Sequence, residues 1–289
     1  MPGSFLKTAL KFTFLMLLCG SISAHTNILI YSGPGVGPKS LANTVTMIKQ
    51  LTGSNYTILT VGPETIIDQA WINNTALLIM PGGADKPYLE KLAGQGNANI
   101  RNYVNNGGKF LGICAGAYYS ADRIEFAKGD KDLEVVGDRE LKFFPGLITG
   151  PTYAGFDYRG TNANNGARAA KLYWQDTKSL NITDKFTVFY NGGGSFIAAD
   201  KYSNVTVLAL YGIELRNTLK AEAAIVECVV GKGKAILTGV HFEWDPCTLD
   251  TSYKQLLDMQ PILIEENSNR LGLAKHLLER LDIALASNR

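Results

Sequence analysis

The chain has 289 residues, 46% of them hydrophobic and 19% charged, enough apolar content to bury a sizeable core, which excludes a disordered chain. The formal net charge is +2, and loss of Lys7 and Lys11 with an N-terminal leader takes Lys+Arg from 28 to 26 against 26 acidic residues. That near-neutral balance, with no basic run or aromatic-basic patch, supplies no bulk attraction to nucleic acid or to an anionic membrane.

At the N-terminus, Lys7 and Lys11 precede a short apolar run at 12–19 (FTFLMLLC) and the small residues of 20–24. This is the order of a secretory signal peptide, with cleavage expected after Ala24 and export to the outside or to a periplasm. The run is short for a membrane span; a retained anchor and a lipoprotein site at Cys19 are the alternatives. Residues 25–289 are then expected to form one domain that keeps no membrane contact once the leader is cleaved. Of the four cysteines, Cys114, Cys228 and Cys247 remain, an odd number that predicts at least one free thiol in an oxidising compartment. A Cys228–Cys247 bridge with Cys114 free fits, and so do three free thiols. Asn55, Asn73, Asn181 and Asn204 begin glycosylation sequons, which matter in a eukaryotic host.

Apolar runs rich in β-branched residues follow, each bounded by turn residues: 27–31 (NILIY), 56–61, 76–80 (ALLIM) and 109–113 (KFLGI). Runs apolar on both faces read as buried parallel strands. Helical stretches are expected between them at 40–52, 65–72 and 97–105. The alternation predicts an α/β fold with a doubly wound, mostly parallel sheet. Residues 129–200 change character, rich in Gly, Asn, Asp, Tyr and Phe with short β-like pieces such as 186–190, and read as a loop- and β-rich insertion at the sheet edge. Strand pattern returns at 205–211, 223–230 and 234–239, the last two joined by a Gly231-Lys232-Gly233 hairpin signal. A closing amphipathic helix is expected over 269–286, with Leu271, Leu277, Leu278 and Leu281 on one side.

Three strand ends carry chemistry. Gly112-Ile113-Cys114-Ala115-Gly116 reads as a nucleophile elbow with cysteine in place of serine. The glycines permit a tight turn, and a following helix directs its positive end at the sulfur, favouring thiolate. A buried inert cysteine is the bland alternative. His241 and Glu243 follow another strand: the imidazole can take the thiol proton, and Glu243 can accept from the other ring nitrogen and fix the tautomer. His25 would be terminal and His276 lies in the last helix, so His241 is the candidate base. Pro81-Gly82-Gly83 also ends a strand; the N–H groups of Gly82 and Gly83, with that of Ala115, would form an oxyanion hole. No histidine or cysteine has metal-ligand spacing, and neither metal nor cofactor is expected.

Together, PGG, then G-x-C-x-G, then H-x-E resembles the class I glutamine amidotransferase superfamily. More closely, the chain is similar to the N-terminal domain of eukaryotic biotin–protein ligases over 30–35, 81–88, 112–118, 123–129, 141–146, 166–169 and 190–193. The resemblance implies a flavodoxin-like fold. The ligase half of those proteins is a separate domain, and a glycine-arginine loop for biotinyl-adenylate is absent here, so biotin ligation is not expected. The superfamily includes exported γ-glutamyl hydrolases, which implies a small-molecule or peptide amide as substrate. Asp85, Tyr88, Arg123, Glu125 and Asn191 are polar family-matching residues and become the pocket candidates. The expected activity is cysteine hydrolysis of an amide, of glutamine or γ-glutamyl type. A non-catalytic binding module and thiol redox sensing at Cys114 are the competing readings.

Overall fold

A computed structural model of the chain describes residues 26–157, 165–175, 184–212 and 222–287. The expected leader at 1–24 and the sequon at Asn181 lie outside the described residues. No described helix is long and apolar enough to cross a membrane.

The strands in chain order are β1 (Asn27–Tyr31), β2 (Thr57–Val61), β3 (Thr75–Met80), β4 (Lys109–Ile113), β5 (Ala121–Phe126), β6 (Val135–Asp138) and β7 (Phe144–Gly150). Then come β8 (Ala167–Trp174), β9 (Lys185–Asn191), β10 (Ser195–Phe196), β11 (Val205–Tyr211), β12 (Ala223–Val230) and β13 (Gly233–Thr238). The helices are α1 (Pro38–Thr52), α2 (Pro63–Ile67), α3 (Asp85–Leu92), α4 (Gln95–Asn105), α5 (Ala115–Tyr119), α6 (Lys254–Glu265) and α7 (Asn267–Arg280).

Strands β2-β1-β3-β4-β13 form a parallel block in that order. This is the strand order of a flavodoxin-like doubly wound sheet, whose ligands sit beyond the carboxyl ends of the strands. Leu77, Leu78, Ile79 and Met80 of β3 are all fully buried because helices cover both faces of the block. One core packs Ile28, Ile30, Leu111 and Ile113 against Met47 and Ile48 of α1 and Leu277 and Leu278 of α7. The other packs Leu29, Leu78 and Phe110 against Leu92 of α3 and Ile100 and Val104 of α4.

The insertion does not stand apart from this sheet. Past β13 the sheet continues through β12, β10, β7, β5 and β6, and a branch β11-β8-β9 leaves from β12. Its pairings are antiparallel except β5 with β7. Alternating burial along β7 and β8 explains why these segments lack the continuous apolar runs of the parallel block.

Two expectations are adjusted, and one open choice is decided. The helix expected at 65–72 is split into α2 and a 3-10 turn at Gln69–Asn74, because the Asp68 carboxylate caps the Ala70 N–H at 3.2 Å. The closing helix ends at Arg280, not 286: Asp282 turns left-handed (φ 58°), and the Ile283 N–H folds back onto Leu278 O at 3.0 Å. Cys114, Cys228 and Cys247 are all free thiols; Cys228 is buried in β12 and Cys247 is exposed.

Candidate active site

Three neighbouring strands end at one place. Met80 of β3 sits beside Gly112 of β4, and Ile113 of β4 sits beside Thr238 of β13. The PGG turn, Cys114 and the His241 turn therefore leave the sheet side by side. Cys114 adopts φ 51°, ψ −102°, a conformation that costs a non-glycine residue of order 1–3 kcal/mol and clusters at functional turns. The flanking glycines are there for space. A Cβ at Gly116 would stand 2.0 Å from Met80 O, and one at Gly112 would stand 2.7 Å from Gly116 O. α5 then starts directly at Ala115, whose N–H, in the first helical turn, has no intrahelical acceptor.

His241 is held from three sides. Its backbone N–H donates to Phe189 O at 2.8 Å, its Nδ1 lies 2.8 Å from Glu243 Oε1, and the mutually stacked rings of Phe189 and Trp244 lie together beside it at 6.0 and 6.1 Å. With Nδ1 committed to the carboxylate, Nε2 is the ring nitrogen left for Cys114, whose charge and hydrogen bonding act on the imidazole. His241 and Glu243 are 5% and 1% exposed, so the pair works in low dielectric. Burial pulls the His241 pKa down, but the charges and hydrogen bonds of Glu243 and Cys114 outweigh it and hold the imidazole well above its ordinary value. The Cys114 thiol also reaches Asn191 O at 3.7 Å, where β9 ends. A thiol, an imidazole and a carboxylate in this chain of contacts are the components of a nucleophile–base–orienter relay.

The other sequence candidates divide. Gly82 lies against the imidazole, its N–H donating to Ser40 Oγ at 3.0 Å, which commits that donor to a side chain instead of a bound carbonyl. Gly83 (φ 148°) bridges back to Val36. Asp85 and Tyr88 are buried inside the fold. Asp85 makes a buried ion pair with Arg139, Nε–Oδ2 2.8 Å, and Tyr88, fully buried, donates to Pro81 O at 3.0 Å. Arg123 pairs with Asp138 at 2.7 Å on the surface between β5 and β6. Glu125 pairs with Lys128 at 2.9 Å and lines an open cleft of ≈ 530 Å³ with Thr149, Thr152 and Phe156. That cleft borders the site: the Thr152 N–H donates to Gly193 O at 3.0 Å, two residues after the thiol's partner Asn191. Sequence reasoning missed Ser40, Arg139, Thr152 and Tyr118, whose hydroxyl donates to Gly192 O at 3.1 Å. Only Tyr118 had a sequence signal, its place one helical turn after Cys114.

A family model described as the N-terminal part of biotin–protein ligase matches residues 26–289. This chain belongs to that family. It is 34% identical over 258 residues to a biotin–protein ligase of Schizosaccharomyces pombe, covering 89% of this chain. It spans only 38% of that relative's length. It is 38% identical over 228 residues to an uncharacterized protein of Chlamydia muridarum, covering 77% of this chain and 83% of that one. Among solved structures it is similar to a glutamine amidotransferase, at 15% identity and TM-score 0.49 over 81% of this chain and 99% of that one. A ThuA-like protein of Bacteroides uniformis is similar at 12% identity and TM-score 0.48, over 88% and 97%.

Proposed function

We propose that this biotin–protein ligase N-terminal family member is an exported, amidotransferase-like cysteine hydrolase of an amide, of glutamine or γ-glutamyl type, without ligase activity. The observation that carries the reading is the Cys114–His241–Glu243 relay at the end of β4 and β13, with the 2.8 Å His241–Glu243 contact and the turned backbone at Cys114. The Cys114 thiolate attacks the substrate carbonyl carbon, and the developing oxyanion is received by the N–H groups of Gly83 and Ala115. His241, holding the thiol proton, gives it to the leaving amine, which departs and leaves a thioester. His241 then takes a proton from water, whose oxygen attacks the thioester. The carboxylic acid leaves and the proton returns to Cys114. Glu243 keeps the imidazole in one tautomer throughout. Glu125 and the cleft beside Thr152 are the proposed pocket wall. The charge order of residues 7–24 supports export to the outside or a periplasm.

The experiment is iodoacetamide alkylation of Cys114 followed by mass spectrometry, together with ammonia release from L-glutamine and amine release from γ-glutamyl-p-nitroanilide. The proposal expects rapid alkylation that slows in His241→Ala, and turnover of one amide that is abolished by Cys114→Ala. Alkylation that does not change on removing His241 sinks it. A non-catalytic binding module on the same fold is favoured by one observation, the commitment of the Gly82 N–H to Ser40; His241-dependent alkylation without turnover of any amide probe would select it.

A further inference from the structure

Ser40 belongs to none of the three strand-end motifs. It stands in the first turn of α1, two residues after Pro38, and is 4% exposed. Its hydroxyl donates to Glu243 Oε1 at 2.8 Å and lies 3.0 Å from the Gly82 nitrogen. A hydroxyl has one proton and accepts through lone pairs, whereas an ionised carboxylate only accepts and an amide N–H only donates. The sense of the relay is therefore fixed: Gly82 N–H to Ser40 Oγ, and Ser40 O–H to Glu243 Oε1.

We infer that Ser40 is a positioning residue of the active site, joining the PGG turn to the carboxylate that orients His241. The inference rests on the proposed hydrolase reading. Glu243 Oε1 receives both His241 Nδ1 and the Ser40 hydroxyl, while Oε2 has no hydrogen-bond partner among the described residues. Both lateral restraints on the carboxylate act on one oxygen, and loss of Ser40 removes one of them. The backbone of the histidine turn is fixed independently: Asn43 Oδ1 accepts from Asp245 N–H at 3.1 Å, and Arg270 donates to Phe242 O at 3.0 Å. Removing the Ser40 hydroxyl thus loosens a side-chain orientation and leaves the turn in place. The same hydroxyl sets the orientation of the Gly82 amide, so the base and the oxyanion loop are registered to each other through one oxygen atom.

The test uses the whole chain with Ser40→Ala, Ser40→Thr, Glu243→Gln and the double variant Ser40→Ala/Glu243→Gln. Two readouts are taken: the rate of iodoacetamide alkylation of Cys114, and the downfield ¹H NMR signal of the His241 Nδ1 proton, assigned by its loss in His241→Ala. Ser40→Ala is expected to slow alkylation about tenfold, the rate equivalent of one hydrogen bond to a charged group. It should also broaden the Nδ1 signal, while Ser40→Thr, which keeps the hydroxyl, restores both. Because Ser40 acts through Glu243, the double variant should be no slower than Glu243→Gln alone. A Ser40→Ala protein with wild-type rate and a sharp signal overturns the inference, as does a double variant in which the two losses add. If Ser40→Ala does not fold, Ser40→Cys, a near-isostere with a weak donor, takes its place and a wild-type rate there overturns it. Alkylation that depends on His241 but not on Ser40 fails this inference alone; alkylation independent of His241 fails the hydrolase reading itself.

Discussion

The N–H of Cys114 donates to Thr238 O at 2.8 Å, so the turn that carries the thiol is tied to the strand that delivers His241 three residues later. The contact is the last rung of the parallel β4–β13 ladder, at the Ile113–Thr238 pair. Cys114 and the turn of His241 are thus registered by backbone hydrogen bonds. The dispositions that follow from this arrangement are testable one at a time.

The conformation of Cys114 is the first. At φ 51°, ψ −102° a side chain is strained and glycine is not. Replacing the thiol with alanine keeps the strain, and replacing it with glycine removes it. Cys114→Gly is expected to be more stable than Cys114→Ala by about 1–2 kcal/mol in urea unfolding. Equal stability would mean that the turn relaxes when the thiol is removed.

Gly193 makes the second prediction. A Cβ there would stand 1.7 Å from Gly239 O, a backbone atom of the histidine turn that has no rotamer with which to move aside. Gly193 O also accepts from Tyr190 Oη at 2.7 Å and from the Thr152 N–H at 3.0 Å. Gly193→Ala should cost about 3 kcal/mol and slow alkylation of Cys114, because the 191–194 loop must lift from the site. Thermal melting and alkylation of the same sample check both halves.

The elevated His241 pKa gives a pH dependence with a defined sign. A group whose folded pKa lies above its unfolded value binds its proton more tightly when folded. The stability this contributes is fully present below the unfolded value, close to the ordinary 6.5, and is lost as pH rises through the higher folded value. The stability difference between wild type and His241→Gln should therefore shrink as pH rises above 6.5, read by urea unfolding along a pH series. A difference that grows with pH would mean that burial, not Glu243 and Cys114, dominates the imidazole.

Asp85 and Arg139 make the fourth. Burial is the largest influence on the Asp85 carboxyl and raises its pKa, against the lowering charge and hydrogen bond of Arg139. Arg139→Met alone strands a buried carboxylate and should cost about 3–5 kcal/mol, while the Asp85→Leu/Arg139→Met double variant should recover most of it. Cys114 alkylation in the double variant should match wild type, since neither side chain touches the relay. A slowed reaction there would return Asp85 to the site.

The parallel block was legible because its cause is local. A strand covered by helices on both faces is apolar along its buried length, and that composition is written into short runs such as 28–31 and 76–80. The order of strand ends was legible for the same reason, since PGG, Cys114 and His241 each follow such a run, and a parallel sheet gathers its strand ends on one edge. The spacing of His241 and Glu243 likewise fits both residues into one turn. Parts of the antiparallel extension were less distinct, because strands such as β7 and β8 alternate in burial and resemble loop.

What only the tertiary structure decided are the partners of polar atoms. The Ser40–Glu243 hydrogen bond spans 203 positions in sequence, and Arg139–Asp85 spans 54. No periodicity encodes such pairings, which arise when helix ends and loops meet above the sheet. Polarity and motif position single out Asp85 and Tyr88, and it is the start of α3 that turns them toward Arg139 and Pro81. The cysteines follow the same rule: sequence leaves a Cys228–Cys247 bridge open, and the fold places one at a buried strand position and the other in an exposed 3-10 turn. Residue type and spacing determined which groups are available at the sheet edge; burial and long-range contact determined which of them face the thiol.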